Sequence, residues 1–361
     1  MADAEQPSCS GPGEQWSGSL GLRIGAIFIL WASATAVTLF PIVTRRVPRM
    51  SIPREAFDFA KYFGSGVIIA TAFIHLLEPG VEALQSPCLA QAFQDYSAFP
   101  FAIAMIALFA VFIVELFAYR LGSKLANKLA YDPHTGGHHH ALEHTGGSHP
   151  KEDHAHSHHR EVADEEADRP APIAASKDTT LAKGKDASPS SSASSLVLSS
   201  HASEILGVLI LEFGVIFHSV IIGITLGTTT DFNVLFIVII FHQMFEGLGL
   251  GSRLAFLPLK LNSWIPFIGA LAYGLVTPIG LAIGLGIRGS YNEESATANY
   301  VSGIFDSVSA GILLYTGTVE LLAHEFIFNE RIRTAPLWKV SLSVAEMLLG
   351  AGLMALLGRW A

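Results

Sequence analysis

Charge and thiols are both scarce in this chain of 361 residues: Asp, Glu, Lys and Arg make up 15% of it, and there are two cysteines. Thin charge in a half-hydrophobic chain of positive mean hydropathy does not describe an ordinary soluble domain and points to a membrane as solvent. Basic clusters are missing as well. With 22 Lys and Arg against 31 Asp and Glu, the formal charge is −9, which argues against nucleic acid as a partner because phosphate binding needs gathered cations. Cys9 and Cys88 are too few for a thiolate metal site or a disulfide scaffold, so metal chemistry must fall to His and carboxylates. The amino terminus lacks the basic start and short apolar core of a cleaved signal, so the first apolar segment is expected to be a retained span. No Walker-type Lys-Ser/Thr follows the glycine run at 247–251, which removes a nucleotide-driven pump.

What the chain has in abundance is apolar segments of membrane-crossing length, roughly 20 residues each. Eight are found, near 21–43, 57–79, 98–119, 205–227, 231–252, 264–287, 299–323 and 336–358. The expected fold is therefore all-α: a polytopic membrane helical bundle of eight transmembrane helices with a disordered cytoplasmic loop. Its parts are a terminal segment 1–20, spans one to three in 21–120, a His-rich loop 121–203, and spans four to eight in 204–361. Lys and Arg favour the cytoplasmic side of short loops. They gather in the first loop (Arg45, Arg46, Arg49, Arg54), third (Lys124, Lys128), fifth (Arg253, Lys260) and seventh (Arg331, Arg333), and are absent from the second and fourth. Both termini are thus expected outside the cytoplasm.

Polar residues inside spans are costly and mark function by default. The fourth span places His218 and Ser219 about midway along an apolar helix, and the fifth places His242 and Glu246 at i, i+4 on one face, next to Gln243. Only a few residues near Thr228–Asp231 join these helices, so they should be antiparallel neighbours whose polar residues meet at one depth. Two imidazoles and a carboxylate suit zinc and similar divalent cations, with Ser219 and Gln243 as weaker oxygen donors. An interhelical hydrogen bond is the ordinary role of one membrane His; two with a Glu at matching depth point instead to a shared ion.

In the second span, His75 and Glu78 form a candidate metal-collecting entrance near one end, and in the seventh, Glu320, His324 and Glu325 form a candidate exit relay near the other. Asp306, higher on the seventh span, faces either the pore or a neighbouring helix. Ten of the fifteen His fall between His134 and His159, a flexible tract suited to sensing or buffering metal rather than conducting it.

The motifs His218-Ser219-Val220-Ile221-Ile222-Gly223 and His242-Gln243-Met244-Phe245-Glu246-Gly247 resemble those of the ZIP family of metal-ion transporters, most nearly its fungal and plant branch. The resemblance covers almost the whole chain. It implies metal uptake toward the cytosol through a site shared by the fourth and fifth spans, with a rocking or elevator-like movement. Some relatives hold two metals with acidic residues where this chain has Ile222 and Gln243, so one principal ion is expected. The expected partners are divalent ions and the lipid bilayer, with a homodimer as one candidate assembly. Zinc is then substrate rather than prosthetic group, and the plasma membrane is the expected location. The competing classes are an intramembrane zinc hydrolase, whose metal-bound water would attack a lipid or peptide, and a metal sensor that binds without transporting.

Overall fold

The computed structural model describes residues 9, 19–47, 53–128, 190–259 and 263–360. They are all-helical, and seven helices are long and apolar enough to cross a membrane: Leu20–Arg46, Arg54–Leu84, Phe99–Ala118, Ile205–Thr228, Phe232–Phe256, Ile265–Ile287 and Leu337–Leu357. These are the first to sixth and the eighth spans. The seventh helix in chain order runs Ala296–Tyr315 and continues as a π-helix over Thr316–Ile327. It falls short on hydropathy because it carries Asn299, Asp306, Ser302, Ser307 and Ser309, yet it packs among the others against the second, third and fourth spans. Asp306, Ser307 and Ser309 are buried against those helices, while Val301, Ile304 and Phe305 are exposed, so the polarity is kept on the packed side.

The helices extend beyond the hydropathy bounds at the long loop. The third runs to Lys128 and the fourth begins at Ser190, whereas hydropathy alone bounds the loop at 121–203. Hydropathy marks where the bilayer ends; the backbone ladder continues through good helix formers such as Ala, Leu and Lys. The His134–His159 tract lies outside the described residues.

Glycine sets the closest helix approaches. A Cβ on Gly223 would collide with the Thr277 carbonyl and lie 2.9 Å from Gly280 Cα, so the fourth and sixth spans meet backbone to backbone. Gly64 and Gly249 do the same for the second and fifth. The first span packs on the fifth and sixth, and the fourth on the sixth; the second packs on the eighth, and the third on the seventh. At one end of the bundle, fully buried Arg23 donates to the carbonyls of Gly227 at 3.0 Å and Thr229 at 2.6 Å and stacks on Phe232. The guanidinium thereby satisfies the carbonyls left open where the fourth span ends, and pins the turn into the fifth.

Cys9 and Cys88 are joined in a disulfide that ties the amino-terminal segment to the connection after the second span. Two cysteines make no scaffold, but they do make this one crosslink.

Candidate functional site

The fourth and fifth spans bring their polar residues together in the middle of the bundle. His218, Ser219, His242, Gln243 and Glu246 are all buried. His218 Nε2 lies 3.3 Å from His242 Nε2, and His242 Nε2 lies 3.4 Å from Glu246 Oε1. One ligand atom from each of the three residues falls within 4.8 Å of the others.

These separations have a chemical meaning. Zinc held tetrahedrally at about 2.0–2.1 Å from N and O ligands sets its ligand atoms about 3.3–3.4 Å apart, and two of the three edges of this cluster already have that length. The polar atoms around it are otherwise idle. Among the described residues, both carboxylate oxygens of Glu246, His218 Nδ1, Ser219 Oγ, Gln243 Oε1 and Asp306 Oδ1 are buried without a hydrogen-bond partner. Buried polar atoms are ordinarily paired with protein groups, water or an ion, and this concentration is one that bound water or an ion would satisfy.

The two other polar residues of the motifs sit differently. The Gln243 amide donates to Thr277 Oγ1 while its backbone carbonyl accepts from the Tyr273 hydroxyl at 2.8 Å, so the sixth span orients it. Ser219 is wholly buried beside His218, with its hydroxyl oxygen idle. Gly247 admits the first span, since a Cβ there would lie 2.5 Å from Thr38 Oγ1.

Second-span His75 stands closer to the cluster than an entrance at the helix end suggests: its ring centroid is 4.7 Å from that of His242. Its Nε2 lies 3.0 Å from the Met354 carbonyl of the eighth span, and because a carbonyl only accepts, that nitrogen carries the proton and leaves Nδ1 for an ion. The placement follows from a π-helical stretch, Thr71–Leu77, whose wider turn departs from α-helical spacing; such stretches cluster at functional sites. Exposed Glu78 lines a cavity of about 260 Å³ together with His75, His218, His242 and Asp306. Asp306 is buried in its wall, with Oδ1 3.9 Å from His218 Nδ1, so it faces the imidazole and the cavity rather than a remote helix.

A second cavity, about 560 Å³, is lined by Glu320, His324 and Glu325 and by Arg54, Lys61, Arg253 and Arg331. Glu246 borders neither cavity. Leu211, which lines this larger one, is buried in one apolar cluster with Val215 and Leu250. The three acid and imidazole residues are not equivalent: His324 is exposed and Glu320 half-buried, whereas Glu325 is buried and ion-paired to Arg253 and, at 3.2 Å, to Lys61. Motif reading misses that pairing. Lys61 stands out in the sequence only as a charge inside the second span, and nothing in residue spacing brings Arg253 and Glu325 together.

Residues 20–358 match the profile of the family described as ZIP Zinc transporter. The chain is 41% identical over 355 residues to Zinc-regulated transporter 1 of Saccharomyces cerevisiae, covering 97% of this chain and 90% of that one. It is 35% identical over 407 residues to Zinc-regulated transporter 2 of the same yeast, covering 96% of each. Against Zinc transporter 9 of Oryza sativa subsp. japonica it is 34% identical over 366 residues, covering 100% of this chain and 94% of the rice protein.

Proposed function

The chain belongs to the ZIP zinc transporter family, and from that premise we propose that it imports zinc into the cytosol across the plasma membrane, through a single principal site made by His218, His242 and Glu246. The family consists of transporters and not enzymes, which disposes of the intramembrane hydrolase. The observation that carries the site assignment is the pair of ligand-atom separations, 3.3 Å and 3.4 Å, each the edge of a zinc tetrahedron. A second adjacent metal has little to hold it, since Ile222 offers no donor and Gln243 brings a neutral amide, its nitrogen donating to Thr277, in place of a carboxylate.

Three features support that direction of transport. Lys and Arg of the odd-numbered loops set their face toward the cytosol. The larger cavity, lined by Arg54, Lys61, Arg253 and Arg331, opens on that face. The Cys9–Cys88 bridge suits the opposite, oxidising side, which supports an amino terminus outside the cytosol. The smaller cavity is then the outer one. Zinc approaches past Glu78 and His75, with Asp306 in the wall, binds at His218, His242 and Glu246, and leaves past Glu320, His324 and Glu325 once an apolar separation formed by Leu211, Val215 and Leu250 opens. Ser219 and Gln243 complete the site's wall as secondary oxygen donors. Because the first, fourth, fifth and sixth spans pack as one group and the others as a second, the opening movement is a displacement of one group against the other. A homodimer is the assembly we propose for the bilayer.

Radiotracer uptake into proteoliposomes tests the proposal. Time-dependent accumulation of zinc by the purified protein, abolished in His242→Ala, is the expected result. Tight zinc binding without accumulation would instead favour a sensor.

A further inference from the structure

Arg253, Lys61 and Glu325 come from three different helices and meet at one point. Arg253 lies on the fifth span, two turns beyond Glu246 and about 10 Å further along the axis. Lys61 lies on the second and Glu325 on the π-helical part of the seventh. The Glu325 carboxylate is buried, paired to the Arg253 guanidinium and lying 3.2 Å from Lys61 Nζ. Arg253 reaches the second span as well, donating to Ser65 Oγ at 2.6 Å and to the Lys61 carbonyl at 3.3 Å. One turn before Arg253, Gly249 rests against Gly64 of the second span with no side chain between the backbones.

The position of this cluster matters more than its strength. Leu250, one turn from Glu246 toward Arg253, is buried in one apolar cluster with Val215 and with Leu211, which lines the larger cavity. Arg253 bonds the fifth span to the second and the seventh, so a displacement of the fifth span from those two pulls it away from Glu325. Electrostatics points the same way. While both cations sit on the Glu325 carboxylate, its negative charge is spent on them and offers little to a departing divalent ion. When Arg253 is drawn off, Glu325 regains negative character and attracts it, and its Oε2, buried without a hydrogen-bond partner, is a ready ligand atom.

We propose that Lys61 and Arg253 are gating residues for transport: they hold Glu325 in an ion-paired latch that keeps the inner cavity shut off from the metal site, and on opening the latch releases Glu325 to the departing cation. This rests on the reading above that zinc leaves past Glu325, and it adds to that reading what occupies Glu325 until then. Arg253 and Lys61 touch no metal; they act through the carboxylate they hold.

The test measures access to the apolar separation without zinc. Leu250→Cys places a thiol there, and Cys9 and Cys88, being joined, do not compete for reagent. In inside-out vesicles a membrane-impermeant thiol reagent should label this full-length protein slowly. Adding Arg253→Gln should raise the labelling rate roughly tenfold or more, since losing one partner of a buried ion pair is among the costliest single changes, whereas Arg253→Lys, which keeps the charge, should stay near the parent. Glu325→Gln should open the path as Arg253→Gln does. If Arg253→Gln fails to reach the membrane, Lys61→Gln carries the test, because the Lys61 side chain is 26% exposed and its loss is milder. Equal labelling of the parent, Arg253→Gln and Lys61→Gln would overturn the latch. A parent protein that labels as described but accumulates no zinc would overturn the transport reading and leave the latch standing.

Discussion

His218 and His242 face each other across the fourth and fifth spans with their Nε2 atoms 3.3 Å apart and neither ring open to solvent. Two neutral imidazoles at that distance can share one proton, and two ligating imidazoles can share one zinc. The two possibilities differ in what happens when a ring is removed. A hydrogen bond between membrane helices averages only about 0.6 kcal/mol, so losing one leaves a working bundle, whereas losing one ligand of three disables the ion site. His242→Ala and Glu246→Ala are each expected to reduce zinc uptake to near background while the protein still reaches the membrane. Gln243→Ala, removing a residue engaged by Thr277, should do less damage. The double substitution of His218 and His242 should be no worse than either single one, because a shared site is lost only once. A properly inserted His242→Ala protein with near-normal uptake would refute the assignment.

Acid should weaken the site. Ligating imidazoles must be neutral, and the unperturbed His pKa is about 6.5. Protons and zinc compete for the same imidazole nitrogens, so zinc affinity is expected to decline as the medium is acidified from about pH 7 toward pH 5. Equilibrium binding to detergent-solubilised protein, measured without a gradient so that proton coupling cannot mask the effect, should show the decline. Affinity that stays constant between about pH 7 and pH 5 would argue against His ligation.

Much of this was open to reading from residues alone. Hydropathy finds eight spans because a helix must satisfy its own backbone in lipid and clothe it in apolar side chains. His218, His242 and Glu246 stand out because each is an expensive residue at mid-span. Other features were closed to that reading for physical reasons. The nearness of His75 to His242 depends on a π-helical stretch, and no residue spacing announces where a helix widens. The pairing of Arg253 with Glu325 joins residues 72 positions apart in sequence, a contact made by packing and not by periodicity. Nor does hydropathy, which senses the bilayer's edge, show that the third and fourth helices run on to Lys128 and from Ser190.

The Cys9–Cys88 bridge gives a test of orientation. Cys88→Ser leaves Cys9, an exposed residue, with a free thiol. A membrane-impermeant maleimide added outside intact cells should then label the variant, and the unsubstituted protein should stay unlabelled. Labelling of the variant only after the membrane is opened would place the amino terminus in the cytosol and reverse the proposed direction.

Gly223 is expected to tolerate no side chain. A Cβ there would strike the Thr277 carbonyl, which belongs to helix backbone and cannot rotate away. Overpacking of this kind costs about 1–3 kcal/mol or more, and the helix it displaces carries His218. Gly223→Val should lower the midpoint of thermal unfolding and zinc affinity together, whereas Gly286→Ala, with open space around its Cα, should change neither. Both are read by fluorescence-detected melting with and without zinc.

Deletion of 134–159 is expected to leave the initial rate of zinc uptake largely intact, since ten His removed from outside every span take nothing from the site in the bundle. Its effect should fall on regulation or on metal-dependent turnover of the protein in cells. Collapse of initial uptake in purified, correctly inserted protein would place the tract in the conducting path.

Anomalous scattering at the zinc edge, from crystals of the zinc-loaded protein, addresses the central claim most directly. The expected result is one strong peak within about 2.0–2.2 Å of His218 Nε2, His242 Nε2 and a Glu246 carboxylate oxygen. A strong peak elsewhere in the bundle, with those three side chains left uncoordinated, would contradict the account.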